Sequence, residues 1–161
     1  MVSFRGRVTH TLMRRKIAGG NVKVFEADES FRDALNQFYR EQGYHSGWSN
    51  SERAFIATND DEIVGSVKVE VGNGISVLRG MYIAKGYQGG GFGTEFLKHI
   101  EPILNETIAY CMPFSHLGKF YGQIGFQPVS PDSFPEYLAK RYRGYEEKGY
   151  QIIAMRREQA I

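Results

Sequence analysis

The chain has 161 residues, 42% of them hydrophobic, which fills one core and is too short for several. Basic and acidic side chains number 20 and 18, a net charge of +2, so no global field draws the molecule to nucleic acid or a membrane. No apolar run reaches the ~18–20 residues of a membrane span. A single cysteine, Cys111, cannot close an internal disulfide, and the N-terminus lacks the apolar stretch of a secretory signal, so a cytoplasmic protein is expected.

The first sixteen residues hold Arg5, Arg7, Arg14, Arg15 and Lys16 without an acid, yet Phe4, Val8 and Leu12 recur among polar neighbours as in a strand. An edge strand or loose tail is preferred there to a nucleic-acid arm. After Gly19-Gly20, residues 22–25 read as a strand. Ser30 and Asp33 resemble a capping box, opening a helix that buries Phe31, Leu35, Phe38 and Tyr39 and stops at Gly43. A polar, aromatic loop over 44–51 leads to a strand over 54–58. Asp60-Asp61 marks a turn, and Val67, Val69 and Val71 alternate with Ser66, Lys68 and Glu70, the pattern of a strand with one wet face. Asn73-Gly74 is a hairpin signal into a strand over 76–84, within which Gly80 marks a bulge.

Next comes a helix with Phe92, Phe96, Leu97, Ile100 and Leu104 on one face, which Pro102 should bend or end. A strand over 107–112 follows. Ser115 is a reasonable N-cap for a helix carrying Tyr121, and 126–129 is a short strand. Ser133, Pro135 and Glu136 open another helix, with Phe134, Tyr137, Leu138, Tyr142 and Tyr145 on its stripe. It ends at Gly149, before a strand over 150–155.

Between the strand over 76–84 and its following helix lies Gln88-Gly89-Gly90-Gly91-Phe92-Gly93-Thr94, where glycine strips the β-carbons from one turn. Consecutive amides can then converge on an anion, and the helix N-terminus adds further donors. A P-loop would need Lys-Ser or Lys-Thr after the last glycine, and a dinucleotide fingerprint would need glycine at 94 or 96, where Thr94 and Phe96 stand. Both fail. What fits is Gln-x-x-Gly-x-Gly at Gln88, Gly91 and Gly93, followed by Phe120-Tyr121-x-x-x-Gly125-Phe126. This ordered pair resembles the GNAT acetyltransferase superfamily.

That resemblance implies an α/β (α+β) fold of GNAT type. Its mixed, mostly antiparallel sheet would carry helices on both faces and splay at the cofactor-binding strand. It implies one domain over 1–161, with 1–20 a basic extension and 130–149 an inserted helix. The activity implied is transfer of an acetyl group from acetyl-CoA to a primary amine of a small molecule or peptide, by direct attack in a ternary complex. Gln88, Gly89, Gly90, Gly91, Phe92, Gly93, Thr94 and Phe120 would hold the cofactor, and the backbone of Met81, Tyr82 and Ile83 would pair with its pantetheine arm. Tyr121 would be the general acid to the sulfur.

The base is open. Superfamily members often carry a carboxylate where this chain reads Arg79-Gly80, which leaves Glu70, His116 and His45 as candidates. Tyr44, His45, Trp48 and Arg79, with Arg141 and Arg143 on the inserted helix, are placed at the acceptor. No metal-ligand spacing occurs, and none is expected. Cys111 reads as packing. Exposed aromatics leave room for a homodimer. Two rival readings stand beside this one: a noncatalytic coenzyme A-binding or regulatory module, and an enzyme acting on an RNA-linked amine.

Overall fold

The computed structural model describes residues 11–13 and 22–160. Within the basic N-terminal stretch, strand β1 (Thr11–Met13) pairs antiparallel with β2 (Val22–Glu26) at the sheet edge. The arginines of that stretch, Phe4, Val8 and Gly19-Gly20 lie outside the described residues.

Asp28 caps the first helical segment, its side chain accepting from the Ser30 amide, where the sequence suggested Ser30 with Asp33. A 3-10 turn over Glu29–Phe31 runs into helix α1 (Arg32–Glu41), which buries Leu35, Phe38 and Tyr39. Two hairpins then join β3 (Glu52–Asn59), β4 (Glu62–Gly72) and β5 (Ile75–Ile83). Their two-residue loops, Asp60-Asp61 and Asn73-Gly74, all have positive φ, the backbone sign that matches strand twist.

Helix α2 (Phe92–Leu104) buries Phe92, Phe96, Leu97, Ile100 and Leu104, and it continues past Pro102 to Leu104. Strand β6 (Ile108–Cys111) leads through a 3-10 turn to α3 (Gly118–Gly122). Ser115 lies inside that turn and makes no capping bond, the cap position being Phe114. Then follow β7 (Gln127–Pro128), α4 (Glu136–Glu147) and β8 (Met155–Arg157). Ser130, rather than Ser133, caps the 3-10 turn ahead of α4. Tyr137 stays 40% exposed, so the buried stripe of this helix is Leu138, Ala139 and Tyr142.

The eight strands are ordered β1-β2-β3-β4-β5-β6-β8-β7, and β5 with β6 is the one parallel pair among those described. One sheet face packs on α2 and α3 through Phe55, Val67, Val69 and Leu78. The other carries α1 over Ala54 and Ile56, and α4 over Val77 and Tyr110. Helices therefore cover both faces of a mixed, mostly antiparallel sheet.

β4 departs from the one-wet-face expectation. Ser66 and Lys68 are as buried as Val67 and Val69, because α1 and the loop before β3 cover what the alternation marked as the solvent side.

The bulge lies where glycine marked it. Pairing of β4 with β5 shifts between Ser66↔Tyr82 and Lys68↔Arg79, so the single residue Val67 faces the pair Gly80-Met81. The extra residue breaks the alternation of β5. Arg79 and Tyr82 share the α1 face, while Met81 and Ile83 pack toward α2. Gly80 has φ +59, and a β-carbon there would lie 2.9 Å from Cε of the buried Lys68. Gly80→Ala is expected to cost about 1–3 kcal/mol in backbone strain, with crowding added, as read by urea denaturation.

Candidate active site

β5 and β6 pair only from Ile75↔Ile108 to Leu78↔Cys111. Beyond that point β5 continues to Ile83 with a strand partner on the β4 side alone. The chain leaving β6 bends toward β8 instead: Ser115 N donates to Gln151 O, Ile153 N to Pro113 O, and Phe114 bridges to Ile152. Burial follows the pairing. Ser76, Val77 and Leu78 are buried, whereas Arg79 through Ile83 are half-buried along an open edge. The sheet is thus splayed, with Met81, Tyr82 and Ile83 lining one side of the slot.

At the end of that edge the chain makes a 3-10 turn over Lys85–Tyr87 and enters the glycine loop. Gln88 braces it, its side-chain Nε2 donating to Ile83 O at 2.8 Å. Gly89 and Gly91 both have φ +81, a conformation that favours glycine, and Gly91 is the N-cap of α2. No side chain caps this helix. Among the described residues, none accepts a hydrogen bond from an amide between Gly89 and Thr94, whereas the Gln88 amide donates to Lys85 O. Exposed amides, a helix N-terminus and missing β-carbons coincide here, as an anion cradle requires. Phe120 lies against this turn, since a β-carbon on Gly93 would meet its ring at 3.4 Å.

Tyr121 stands on α3 with its ring edge-on to Phe120 and Phe126, and it is 9% exposed. Its hydroxyl has no hydrogen-bond partner among the described residues, yet it is not among the sealed polar atoms that lack one. Burial pushes this phenol up from its ordinary value, with Cys111 and Tyr82 adding to the effect. The hydroxyl therefore keeps its proton at any working pH. Burial also pushes the Cys111 thiol up, away from the thiolate a nucleophile needs.

On the α1 and α4 face the sheet register brings a charged cluster together. Glu52 pairs with Glu70 across β3 and β4, and Lys68 pairs with Arg79 across β4 and β5. Lys68 Nζ donates to Glu52 Oε1 at 3.0 Å and to Gly47 O at 2.6 Å, and lies 4.9 Å over the Tyr44 ring. Glu70 accepts from Arg141 of α4 at 2.9 and 3.3 Å. Arg79 stands between, 3.7 Å from both Glu52 and Glu70, with Tyr145 Oη at 3.5 Å.

The remaining sequence candidates fall around this cluster. Tyr44 packs on Tyr39 and Tyr82 beside the bulge. Trp48 is held in its loop by Nε1 donating to Glu52 O and by the Arg32 guanidinium over its ring. His45 is exposed, and so is His116, which stacks on Phe114. No group of three potential metal ligands occurs among the described residues.

Comparison with known proteins bears on the whole arrangement. The acetyltransferase (GNAT) domain family matches residues 50–128, which span β3 through β7 and hold both the glycine loop and Tyr121. Residues 50–128 are a GNAT acetyltransferase domain.

Solved GNAT folds align over most of the chain. N-acetylglutamate synthase from Neisseria gonorrhoeae, complexed with coenzyme A and N-acetyl-glutamate, is 19% identical with a TM-score of 0.63; 87% of this chain covers 35% of that one. This chain thus spans about a third of that protein. An acetyltransferase of GNAT family from Staphylococcus aureus is 18% identical, TM-score 0.63, over 86% of this chain and 99% of that one. Naa50 from Arabidopsis thaliana, solved with a bisubstrate analogue containing CoA, is 12% identical, TM-score 0.62, over 85% and 98%. Curated protein sequences give no match. No helix among the described residues of this chain is long and apolar enough to cross a membrane.

Sequence reading named Glu70, Arg79 and Arg141 but missed Glu52 and Lys68, and missed that the five form one charged cluster. Only the Lys68 and Glu70 alternation in β4 hinted at it, and its polar side read as solvated.

Proposed function

We propose that this protein is an N-acetyltransferase that moves the acetyl group of acetyl-CoA to a primary amine of a small molecule or peptide, by direct attack in a ternary complex. The observation that carries the reading is the run of amides from Gly89 to Thr94 that find no acceptor among the described residues, at the mouth of an open strand edge. Those amides, with Gln88 bracing the turn and Phe92 seating the helix, would bind the pyrophosphate, and Phe120 would flank it. The edge of Met81, Tyr82 and Ile83 would take the pantetheine arm as a strand takes a neighbour. One N–H of that edge would polarise the thioester carbonyl, a preorganised donor where charge develops.

Tyr121 would hand its proton to the departing sulfur. A phenol held above its ordinary value stays protonated and can donate a hydrogen bond to the departing sulfur. A thiolate of pKa about 8.5 is the weaker base, so the proton would pass only as solvent returns one to the Tyr121 oxygen. Both oxygens of Glu70 are engaged by Arg141, so Glu70 would draw off the amine proton through water rather than directly. His116 and His45, on the surface, would serve an acceptor arriving from that side. Tyr44, His45, Trp48 and Arg79 would form the acceptor face. The same reading takes 1–161 as one unit with 130–149 as an insertion, and the buried free thiol of Cys111 suits the cytoplasm.

Calorimetry with coenzyme A, paired with free-thiol release from acetyl-CoA over a panel of amines, amino acids and peptides, tests this. Binding with amine-dependent release is expected. Absence of coenzyme A binding would overturn it. Gly91→Val forces a branched residue to φ +81, so its affinity for coenzyme A is expected to fall by about 10-fold or more.

A further inference from the structure

Unlike Arg32, Arg53 and Arg141, Arg79 has no carboxylate within hydrogen-bond distance among the described residues, and unlike Arg157, whose Glu101 also stands at 3.7 Å, it is not held instead by a backbone or amide oxygen. Arg53 grips Glu26 with two bonds of 2.8 Å, Arg141 grips Glu70, and Arg32 grips Glu29. The nearest carboxylate oxygens to Arg79 stand at 3.7 Å, beyond hydrogen-bond range, and both belong to groups with nearer partners. Glu52 is taken by Lys68 and Ser49, and Glu70 by Arg141. One 3.5 Å bond to Tyr145 is its only hydrogen bond among the described residues, leaving most of its five donors unused.

Those donors are open. The side chain is 22% exposed, and none of its nitrogens is among the sealed, unpartnered atoms. The cluster holds three cations, Lys68, Arg79 and Arg141, against the carboxylates of Glu52 and Glu70, so one positive charge is unbalanced. Its position is the first residue of β5 past the last β6 pairing, beside the bulge and at the inner end of the slot.

We propose that Arg79 receives a carboxylate of the acceptor, so the acceptor class is an amine that also carries a carboxylate, and polycationic amines are rejected. This rests on the acetyl-transfer reading. A planar guanidinium fork matches a carboxylate with two parallel bonds, which would also set the direction from which the amine meets the slot. Surplus positive charge beside the amine favours its neutral, attacking form, which is useful where no free carboxylate stands ready as base.

The test uses the full chain, saturating acetyl-CoA and matched acceptors: free amino acids against their amides, and peptides with glutamate against glutamine next to the N-terminus. A kcat/KM preference for the carboxylate of about 10- to 100-fold is expected in one of these pairs, as a charge-assisted pair supplies. Which pair shows it tells a free amino acid from an acidic peptide. Arg79→Gln is expected to bring the ratio toward one, and Arg79→Lys to leave it between.

A ratio at or below one in the parent protein, or a ratio that survives in Arg79→Gln, overturns the proposal. N-acetylated amino acids and their amides, titrated into the coenzyme A complex, give a second ratio that needs no turnover. Equal or absent binding of the two overturns it as well. Coenzyme A calorimetry separates the levels: no cofactor binding sinks acetyl transfer and this inference together, whereas binding and turnover without charge preference sink this inference alone.

Discussion

Tyr121→Phe is expected to lower kcat by about 10²–10⁴-fold, the range over which a positioned general acid acts, while leaving thermal stability almost unchanged. The two halves of this expectation come from one geometry. The ring is held by Phe120 and Phe126, contacts that phenylalanine keeps. The hydroxyl has no partner among the described residues, so removing it breaks no bond of the fold and a change beyond ~0.5 kcal/mol is not expected. Burial pushes the phenol well above its ordinary value, so its proton remains available across the working range. A fall in rate with rising pH would therefore come from another group. Thiol release under saturating substrates, beside a melting curve, checks both halves. A variant that keeps the parent rate would show that solvent protonates the sulfur and would remove Tyr121 from the mechanism.

The glycine loop was legible because its chemistry belongs to the main chain. Gly89 and Gly91 declare in their own identity the positive φ they adopt, and Asn73-Gly74 does the same for its hairpin. The bulge at Gly80 and the buried stripe of α2 were readable for the same local reason. Helix starts were less so. Asp28, Ser30, Ser130 and Ser133 are all competent caps, and the choice between them is made by where the preceding strand releases the chain.

The last strand was misjudged more instructively. Residues 150–154 have strand character, but the segment they face past the end of β6 contains Pro113, which has no N–H to donate, leaving single bonds from Ser115 and to Pro113 and a regular ladder only at Met155–Arg157. The charged cluster was out of reach. Glu52, Lys68, Arg79 and Arg141 meet through strand register and the docking of α4, neither of which shows in local periodicity.

Lys68→Ala is expected to destabilise the protein by about 3–5 kcal/mol, since it strands a buried carboxylate, and to lower the melting temperature by roughly 6–20 °C. Lys68 is 1% exposed and Glu52 6%, and the amine is also the donor to Gly47 O. Removing both charges with Lys68→Met and Glu52→Gln should recover more than half of the loss, as amide and thioether need no counter-ion.

The pH dependence follows from Glu52. Burial alone would raise its pKa, but hydrogen bonds from Lys68 and Ser49 outweigh that and hold it below 4.5. A depressed native pKa contributes stability above the unfolded value and loses it as pH falls through the folded one. In Lys68→Ala the main lowering cause is gone and burial dominates, so Glu52 titrates upward and is neutralised in mild acid. The stability gap between parent and variant is then expected to narrow between pH 7 and pH 4, as followed by urea denaturation. Equal gaps at both pH values would mean that the cost is a packing loss around the Lys68 stem. The same lysine fixes the Gly47 carbonyl and crowds the Gly80 turn, so what it stabilises is the loop and bulge that shape the inner end of the slot.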